Sequence, residues 1–207
     1  MKNPYRLSNA FKLAATLLLI FSFQFANVCH AQLLQWNTFG NLGTETTEPS
    51  VANDANIAGP VNLTLGGVTA AANGNRFGGS GWWNTGNTAG GNTLAEAVAG
   101  NDYIQFIVTP NAGFSFTATS LVFTWDRSAT GPSSVTLRSS ADGFVSDLGT
   151  VTGMVSGGAA TTTPRTITIS SLSNITTATT FRLYGYAASA TGGTGDLTTR
   201  HRLSMYS

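Results

Sequence analysis

Residues 101–143 read NDYIQFIVTPNAGFSFTATSLVFTWDRSATGPSSVTLRSSADG, and this stretch decides the fold class. Tyr103–Thr109 carries apolar groups on both faces, which predicts a strand covered on both sides. Pro110–Gly113 ends that strand, because Pro cannot donate to a ladder. Phe114–Asp126 alternates, with a change of phase at Ser120 that predicts a bend or bulge. Period-two alternation with frequent turns is typical of an antiparallel β-sandwich or barrel, not of an α/β fold.

The same patterning extends over most of the chain. Further strand candidates are Leu33–Phe39, Val61–Thr69, Val135–Ser140, Asp147–Thr152, Thr166–Ser170 and Thr179–Ala187. We therefore predict an all-β fold, an antiparallel two-sheet β-sandwich of jelly-roll-like form. Its core is expected to contain Phe106, Phe116, Phe123, Trp125, Leu137 and Leu183.

One short helix is expected in this β fold. Thr93 and Glu96 have capping-box spacing and Gly100 is a stop signal, so the helix is predicted over Leu94–Ala99. It follows Ala71–Asn92, which is rich in Gly and Asn and is interpreted as a long loop of the kind that is often functional.

The first 31 residues, Met1–Ala31, have the pattern of a secretory signal peptide. Basic residues precede the apolar run Leu13–Phe25, which is short for a transmembrane helix, and Ala31 provides a small residue at the cleavage site. We expect a secreted or cell-surface protein, cleaved near Ala31 and without a membrane span afterwards. Lipid attachment at Cys29 and an uncleaved anchor are the alternatives, although Val28 stands where lipidation needs a small residue.

Removal of this leader changes the composition that matters. The only Cys and both Lys residues lie within it, so seven Arg remain against nine Asp and Glu. A disulfide framework is then excluded. A Lys-free, slightly acidic chain also argues against nucleic-acid binding, for which a basic face supplies most of the affinity. Charged residues form only 9% of the whole sequence.

The order of these elements resembles a β-sandwich module of large bacterial exported proteins that carry PEP-CTERM or type IX sorting tails. The likeness rests on residues 101–144 and on FRLYGYAASATGG at 181–193, and it extends over about 33–195. It implies a jelly-roll fold, for which carbohydrate binding is a frequent suggestion. In such modules the last strand is an aromatic-Asp-Asn-hydrophobic run, which this sequence lacks.

Residues 196–207, DLTTRHRLSMYS, form an atypical tail without strand alternation. The domain division is therefore a signal peptide at 1–31, a sandwich at 32–195 and this tail. One hypothesis is a shifted reading frame after Gly195, because another frame permits Arg-Phe-Asp-Asn. On that hypothesis Thr198–Ser207 should pair poorly and leave an open sheet edge.

Two pairs of neighbours are the ligand-binding candidates. Trp82 and Trp83 lie in the Gly/Asn stretch, where an exposed indole could stack on a sugar ring. Because strand neighbours point oppositely, one tryptophan inside and one outside is the alternative. Asp126 and Arg127 follow Trp125, and they either bind a polar ligand or hold their loop in place.

Metal and catalytic sites have weaker signals. No cofactor is expected apart from a structural Ca²⁺ ion, for which oxygen ligands are available at Asp102, Asp142, Asp147 and Asp196 without fixed spacing. The sequence contains no G-x-S-x-G motif for a nucleophilic serine, and its only Cys lies within the predicted signal peptide. Two carboxylates about 5–10 Å apart, for which Glu96 and Asp126 are candidates, would be needed by a glycoside hydrolase.

We therefore expect an exported, non-enzymatic β-sandwich for binding or adhesion, with a polysaccharide or cell-surface glycan as partner. A purely structural surface or matrix module is the alternative, favoured by the bulk of Thr, Gly and Asn. A secreted carboxylate-dependent glycoside hydrolase is the second alternative.

Overall fold

The structure is a computed structural model that describes residues 32–84, 86–157 and 163–198 and the backbone of 203–206. The predicted leader lies outside these residues. The strands are β1 Gln32–Trp36, β2 Thr47–Pro49, β3 Ala52–Asn53, β4 Asn62–Leu65, β5 Thr69–Ala70, β6 Arg76–Ser80, β7 Tyr103–Val108, β8 Phe116–Phe123, β9 Trp125–Arg127, β10 Ser134–Ser139, β11 Gly149–Val151, β12 Arg165–Ile175, β13 Thr179–Tyr186, β14 Gly195–Thr198 and β15 Leu203–Tyr206. Within the described residues, a helix, α1, spans Leu94–Gly100 and a 3-10 turn spans Ser140–Asp142.

The predicted all-β, antiparallel class is confirmed, but the strands form three sheets instead of two. The five-stranded sheet has the order β12-β8-β15-β1-β3, and the six-stranded sheet has the order β11-β10-β13-β7-β4-β2. The remaining sheet has four strands in the order β5-β6-β14-β9. Chain continuity links two of the sheets, because β8 ends at Phe123 and β9 begins only two residues later at Trp125.

A single apolar cluster holds side chains from all three sheets. Trp36 of the five-stranded sheet packs on Phe106 of the six-stranded sheet with ring centroids 5.0 Å apart. Phe106 in turn stacks on its cross-strand partner Phe181 at 5.2 Å. Burial confirms all six predicted core residues: Phe106, Phe116, Phe123, Trp125, Leu137 and Leu183.

The change of phase at Ser120 has the expected structural counterpart. Within β8, Phe116 and Ala118 are buried before it and Leu121 and Phe123 are buried after it. The strand stays continuous because its partner β12 takes up the difference, with a register shift between Thr168 and Leu172. The bulge therefore lies in β12, next to Thr168, which is the ladder partner of Ser120.

The interpretation of Ala71–Asn92 as a loop throughout is wrong. It contains β6, Arg76–Ser80, which pairs with β5 on one side and β14 on the other. The sequence did not predict this strand because Gly78 and Gly79 lie in it and Gly has low strand propensity. The helix was placed correctly: Thr93 and Glu96 form the expected capping box, and the left-handed residue that ends the helix is Asn101.

The expectation of a poorly paired tail is also wrong. The boundary after Gly195 divides β14, a central strand whose four residues are all buried. β15 lies between β8 and β1 and pairs with both. That pairing counts against a shifted frame, because these residues supply ladder partners on both sides. No helix in the described part of the chain is long and apolar enough to cross a membrane.

Candidate functional site

Trp82 lies in the core and not on the surface. Its side chain is fully buried, and its indole N–H donates to the carbonyl of Gly79 at 2.7 Å. The ring packs edge-on against Trp125, with centroids 5.6 Å apart, and rests on Gly185, where a Cβ would come within 2.5 Å of it. Trp82 therefore offers no face to a sugar, and its assignment as a ligand residue is corrected to a structural one.

Trp83 is less buried than Trp82, in line with the alternative of one tryptophan inside and one outside. It is half-buried and packs against the core, and its indole nitrogen is buried without a hydrogen-bond partner. The side-chain nitrogen of Asn87, in the same loop, is likewise unpaired. Trp83 is thus the member of the pair that retains some exposed surface.

Asp126 and Arg127 do not act together. Arg127 is half-buried, and its guanidinium donates to the carbonyls of Ala129 and Gly131 at 2.7–2.9 Å and to that of Met154 at 3.3 Å. Desolvation by burial lowers its pKa. These contacts fix the turn that follows β9, so the loop-holding alternative describes Arg127.

Asp126 belongs instead to a buried polar cluster on the four-stranded sheet. Its carboxylate pairs with Arg76 Nη2 at 2.5 Å, and its cross-strand partner is Asp196. Asn73 Nδ2 donates to Asp196 Oδ2 at 3.1 Å. Burial, followed by the charge of Asp126, raises the pKa of Asp196 to about 7 against the opposing effects of Arg76 and Asn73. Both carboxylates are almost fully buried, so the cluster does not present a reacting surface.

The calcium candidates are scattered over the fold. Asp142 accepts from the backbone of Val145 and Ser146, and Asp147 pairs with Arg138. Asp102 is buried beside Asn84, and burial raises its pKa to about 6. Residues 32–84, 86–157 and 163–198 contain no group of three or more His, Cys, Asp or Glu that could hold a metal ion.

Glu96 is committed to its helix cap. One oxygen accepts from the backbone and hydroxyl of Thr93 and the other from those of Thr88, at 2.6–2.9 Å. These hydrogen bonds, led by the Thr93 backbone, lower the pKa of Glu96 to about 2. A general acid in glycoside hydrolysis needs a raised pKa, so Glu96 does not suit that role.

The outer face of the six-stranded sheet brings together polar side chains that no sequence motif joins. The ladder pairs Thr47 with Thr64, Thr64 with Gln105, Gln105 with Arg182 and Arg182 with Arg138. These five residues form one row across five strands, which we call the outer polar row. Leu63, Ile104, Phe106 and Leu183 point the other way into the core. The outer polar row thus aligns five hydrogen-bonding side chains on the face opposite the core.

Arg182 is held rigidly in this row. Its guanidinium carbon lies 4.3 Å from the ring centroid of Tyr103 and 4.1 Å from that of Phe144, so aromatic rings pack against it. Nε donates to Gln105 Oε1 at 3.1 Å and Nη1 to the Tyr184 hydroxyl at 3.4 Å. These contacts together hold the guanidinium in one orientation.

A shallow trough of about 320 Å³ adjoins the row on β4 and β7. Asn62, Thr64 and Gln105 contribute amide and hydroxyl groups, and Pro60 and Ile107 contribute apolar surface. Ile107 is 47% exposed, although it belongs to a strand in the interior of the sheet. The trough therefore combines neutral hydrogen-bonding groups with apolar patches.

Sequence reasoning missed this face because each member is unremarkable in its own strand. The alternation of Tyr103–Thr109 places Gln105 opposite the core residues, and that was the available signal. The alignment of Gln105 with Thr64 and Arg182 comes only from strand register. No protein-family model matches this chain, and no curated protein matches its sequence.

Proposed function

We propose that this protein is an exported, non-enzymatic binding module whose outer sheet face binds polysaccharide. The trough lined by Asn62, Thr64, Gln105 and Ile107 carries the proposal. Its amides and hydroxyl can exchange hydrogen bonds with sugar hydroxyls, and Ile107 with Pro60 can cover the apolar face of a ring. This surface replaces Trp82 as the basis for sugar binding, because Trp82 is enclosed in the core.

Export is the second part of the proposal and rests on the leader pattern of Met1–Ala31. The polar surface of the described chain supports it, since Thr, Ser, Asn and Gly take the place of charges. Without the leader the chain has no Lys and seven Arg against nine Asp and Glu, which disfavours nucleic acid as a partner. The proposal requires no cofactor.

The absence of catalysis is part of the same proposal. Of the two carboxylates considered for a hydrolase, Glu96 is committed to a helix cap and Asp126 to Arg76. The buried Asp126–Asp196 pair is the closer match to paired catalytic carboxylates, but its side chains are enclosed. Neither arrangement places a carboxylate beside the trough.

A glycan array probed with the protein tests the proposal, with two variants as internal checks. Asn62→Ala and Gln105→Ala remove trough donors from exposed or half-buried positions and should weaken binding at least about fivefold, a loss of roughly 1 kcal/mol. Thr166→Ala is the matched control, because Thr166 is an exposed polar residue on β12 of the five-stranded sheet.

The melting temperatures of Asn62→Ala and Thr166→Ala should stay close to that of the wild type, whereas that of Gln105→Ala should fall by a few degrees because Arg182 Nε loses its acceptor. Binding that survives both trough substitutions would contradict the proposed site. A protein that binds no glycan on the array would favour the purely structural alternative.

A further inference from the structure

The pairing of charges across the outer polar row is incomplete. Arg138 and Arg182 are cross-strand partners on β10 and β13, an arrangement of like charges that destabilises a sheet when it is not compensated. Arg138 is compensated by Asp147, whose Oδ1 lies 2.7 Å from Nε. Among residues 32–84, 86–157 and 163–198, no carboxylate pairs with Arg182.

The contacts of Arg182 leave part of its guanidinium available. The group has five N–H donors, and Gln105 and the Tyr184 hydroxyl accept from only two of them. The rings of Tyr103 and Phe144 pack against the guanidinium without accepting in its plane. The remaining donors form a fork of the kind that binds a carboxylate through two parallel hydrogen bonds.

The position of Arg182 relates this fork to the trough. Gln105 lines the trough and also accepts from Arg182 Nε, so the two features share a residue. Neighbouring strands are about 4.8 Å apart, which is comparable with the width of one sugar ring. A ring seated over Gln105 can therefore direct a substituent toward Arg182.

We infer that the polysaccharide is acidic and that Arg182 binds the carboxylate of a uronic acid unit whose ring lies in the trough. This inference rests on the proposed function, whose site it shares. The neutral trough supplies contacts to the ring, and the half-buried guanidinium selects the acid over the neutral sugar. A pre-oriented guanidinium gives this selection a low entropic cost, because the aromatic rings and Gln105 already hold the side chain.

Calorimetric titration with matched oligosaccharides tests this inference on the wild-type protein. The probes are galacturonate, glucuronate and mannuronate oligomers, each beside its own methyl ester, which keeps the ring and removes the charge. At least one acid should bind about tenfold or more tightly than its ester, the effect of one charge-assisted contact. That preference should shrink as salt is raised.

Variants then assign the preference to Arg182. In Arg182→Gln the ratio of acid to ester affinity should fall to about one, and in Arg182→Lys, which keeps the charge but not the fork, it should be intermediate. Arg165→Gln is the matched control, since Arg165 is a half-buried arginine at the start of β12, and it should keep the wild-type ratio. Should Arg182→Gln fail to fold, Arg182→Lys tests the inference in its place. An acid-to-ester ratio in Arg182→Lys that equals the wild-type ratio would contradict the role of the guanidinium.

The outcomes separate the inference from the proposed function. If acid and ester bind the wild type equally and Asn62→Ala weakens both, the inference is overturned and the proposed function stands. If a preference for the acid is unchanged in Arg182→Gln, the inference is overturned because another group selects the charge. If none of the uronate oligomers or esters binds but the array shows a neutral glycan whose binding Asn62→Ala weakens, the inference alone is overturned. If no glycan binds in either experiment, the proposed function and the inference both fall.

Discussion

Asp126 and Asp196 are cross-strand partners on β9 and β14, and the two buried carboxylates share one guanidinium, that of Arg76. One positive charge cannot neutralise two negative charges in a buried cluster. The cluster becomes electrically neutral when one of the two carboxyl groups takes up a proton. Asp126 has the direct ion pair, at 2.5 Å. Asp196 is the group whose pKa is raised, to about 7.

We predict that the protein loses stability as the pH rises from about 4 to about 7. The unfolded Asp196 ionises near 3.8, whereas the folded residue retains its proton up to about 7, so the folded state binds more protons in this window. Stability contributed by the proton is fully present below the window and lost above it. The slope for one group is about 1.4 kcal/mol per pH unit.

Asp196→Asn isolates this effect, because the amide is neutral at every pH. Its urea midpoint should match that of the wild type near pH 4 and exceed it at pH 8. Asp102, whose pKa is raised to about 6, contributes in the same direction, so Asp102→Asn is measured in parallel. Equal pH profiles for the wild type and Asp196→Asn would show that Asp196 is ionised throughout.

Phe106→Ala should cost about 3–5 kcal/mol of unfolding free energy. The ring connects two sheets, since it contacts Trp36 at 5.0 Å and Phe181 at 5.2 Å between centroids. Phe39→Ala is the matched control, because Phe39 is 76% exposed, and it should change stability by less than about 0.5 kcal/mol. Urea denaturation measures both. Similar losses for the two variants would contradict the assignment of Phe106 to the core.

Trp82→Ala and Trp83→Ala should have different consequences. Trp82→Ala removes a buried ring and its hydrogen bond to Gly79, so a loss of about 3–5 kcal/mol is expected. Trp83→Ala should cost less, because that side chain is only half-buried and its indole nitrogen has no partner to lose. Thermal melts compare the two. A binding defect in Trp83→Ala at unchanged melting temperature would extend the binding surface to this loop.

Deletion of residues 199–207 should destabilise the protein severely. β15 lies between β8 and β1, and its removal leaves the facing edges of both strands without ladder partners. We expect aggregation on expression or a melting temperature lowered by more than about 10 °C. Deletion of Ser207 alone, beyond the end of β15, should be neutral. A soluble deletion with a normal melting temperature would restore the expectation that the tail pairs poorly.

The sequence alone determined the local structure because the relevant signals act over a few residues. Alternation in Tyr103–Thr109 and Thr179–Ala187 predicted strands that exist as β7 and β13, and the Thr93–Glu96 box predicted α1. Prediction was wrong where the local signal was weak. The Gly78-Gly79 pair weakened the strand signal of β6, and Gly195–Thr198 and Leu203–Tyr206 form β14 and β15 despite their lack of alternation.

Only the tertiary structure decided which strands became neighbours, and the candidate sites depend on those neighbours. Gln105 and Arg182 meet across 77 residues, and Asn73 meets Asp196 across 123. Register sets these contacts, and register follows from the packing of whole faces against a common core, which single-strand patterns do not contain. The same packing enclosed Trp82 and left Ile107 exposed, although sequence reasoning treated the former as a surface candidate and the latter as part of a covered strand.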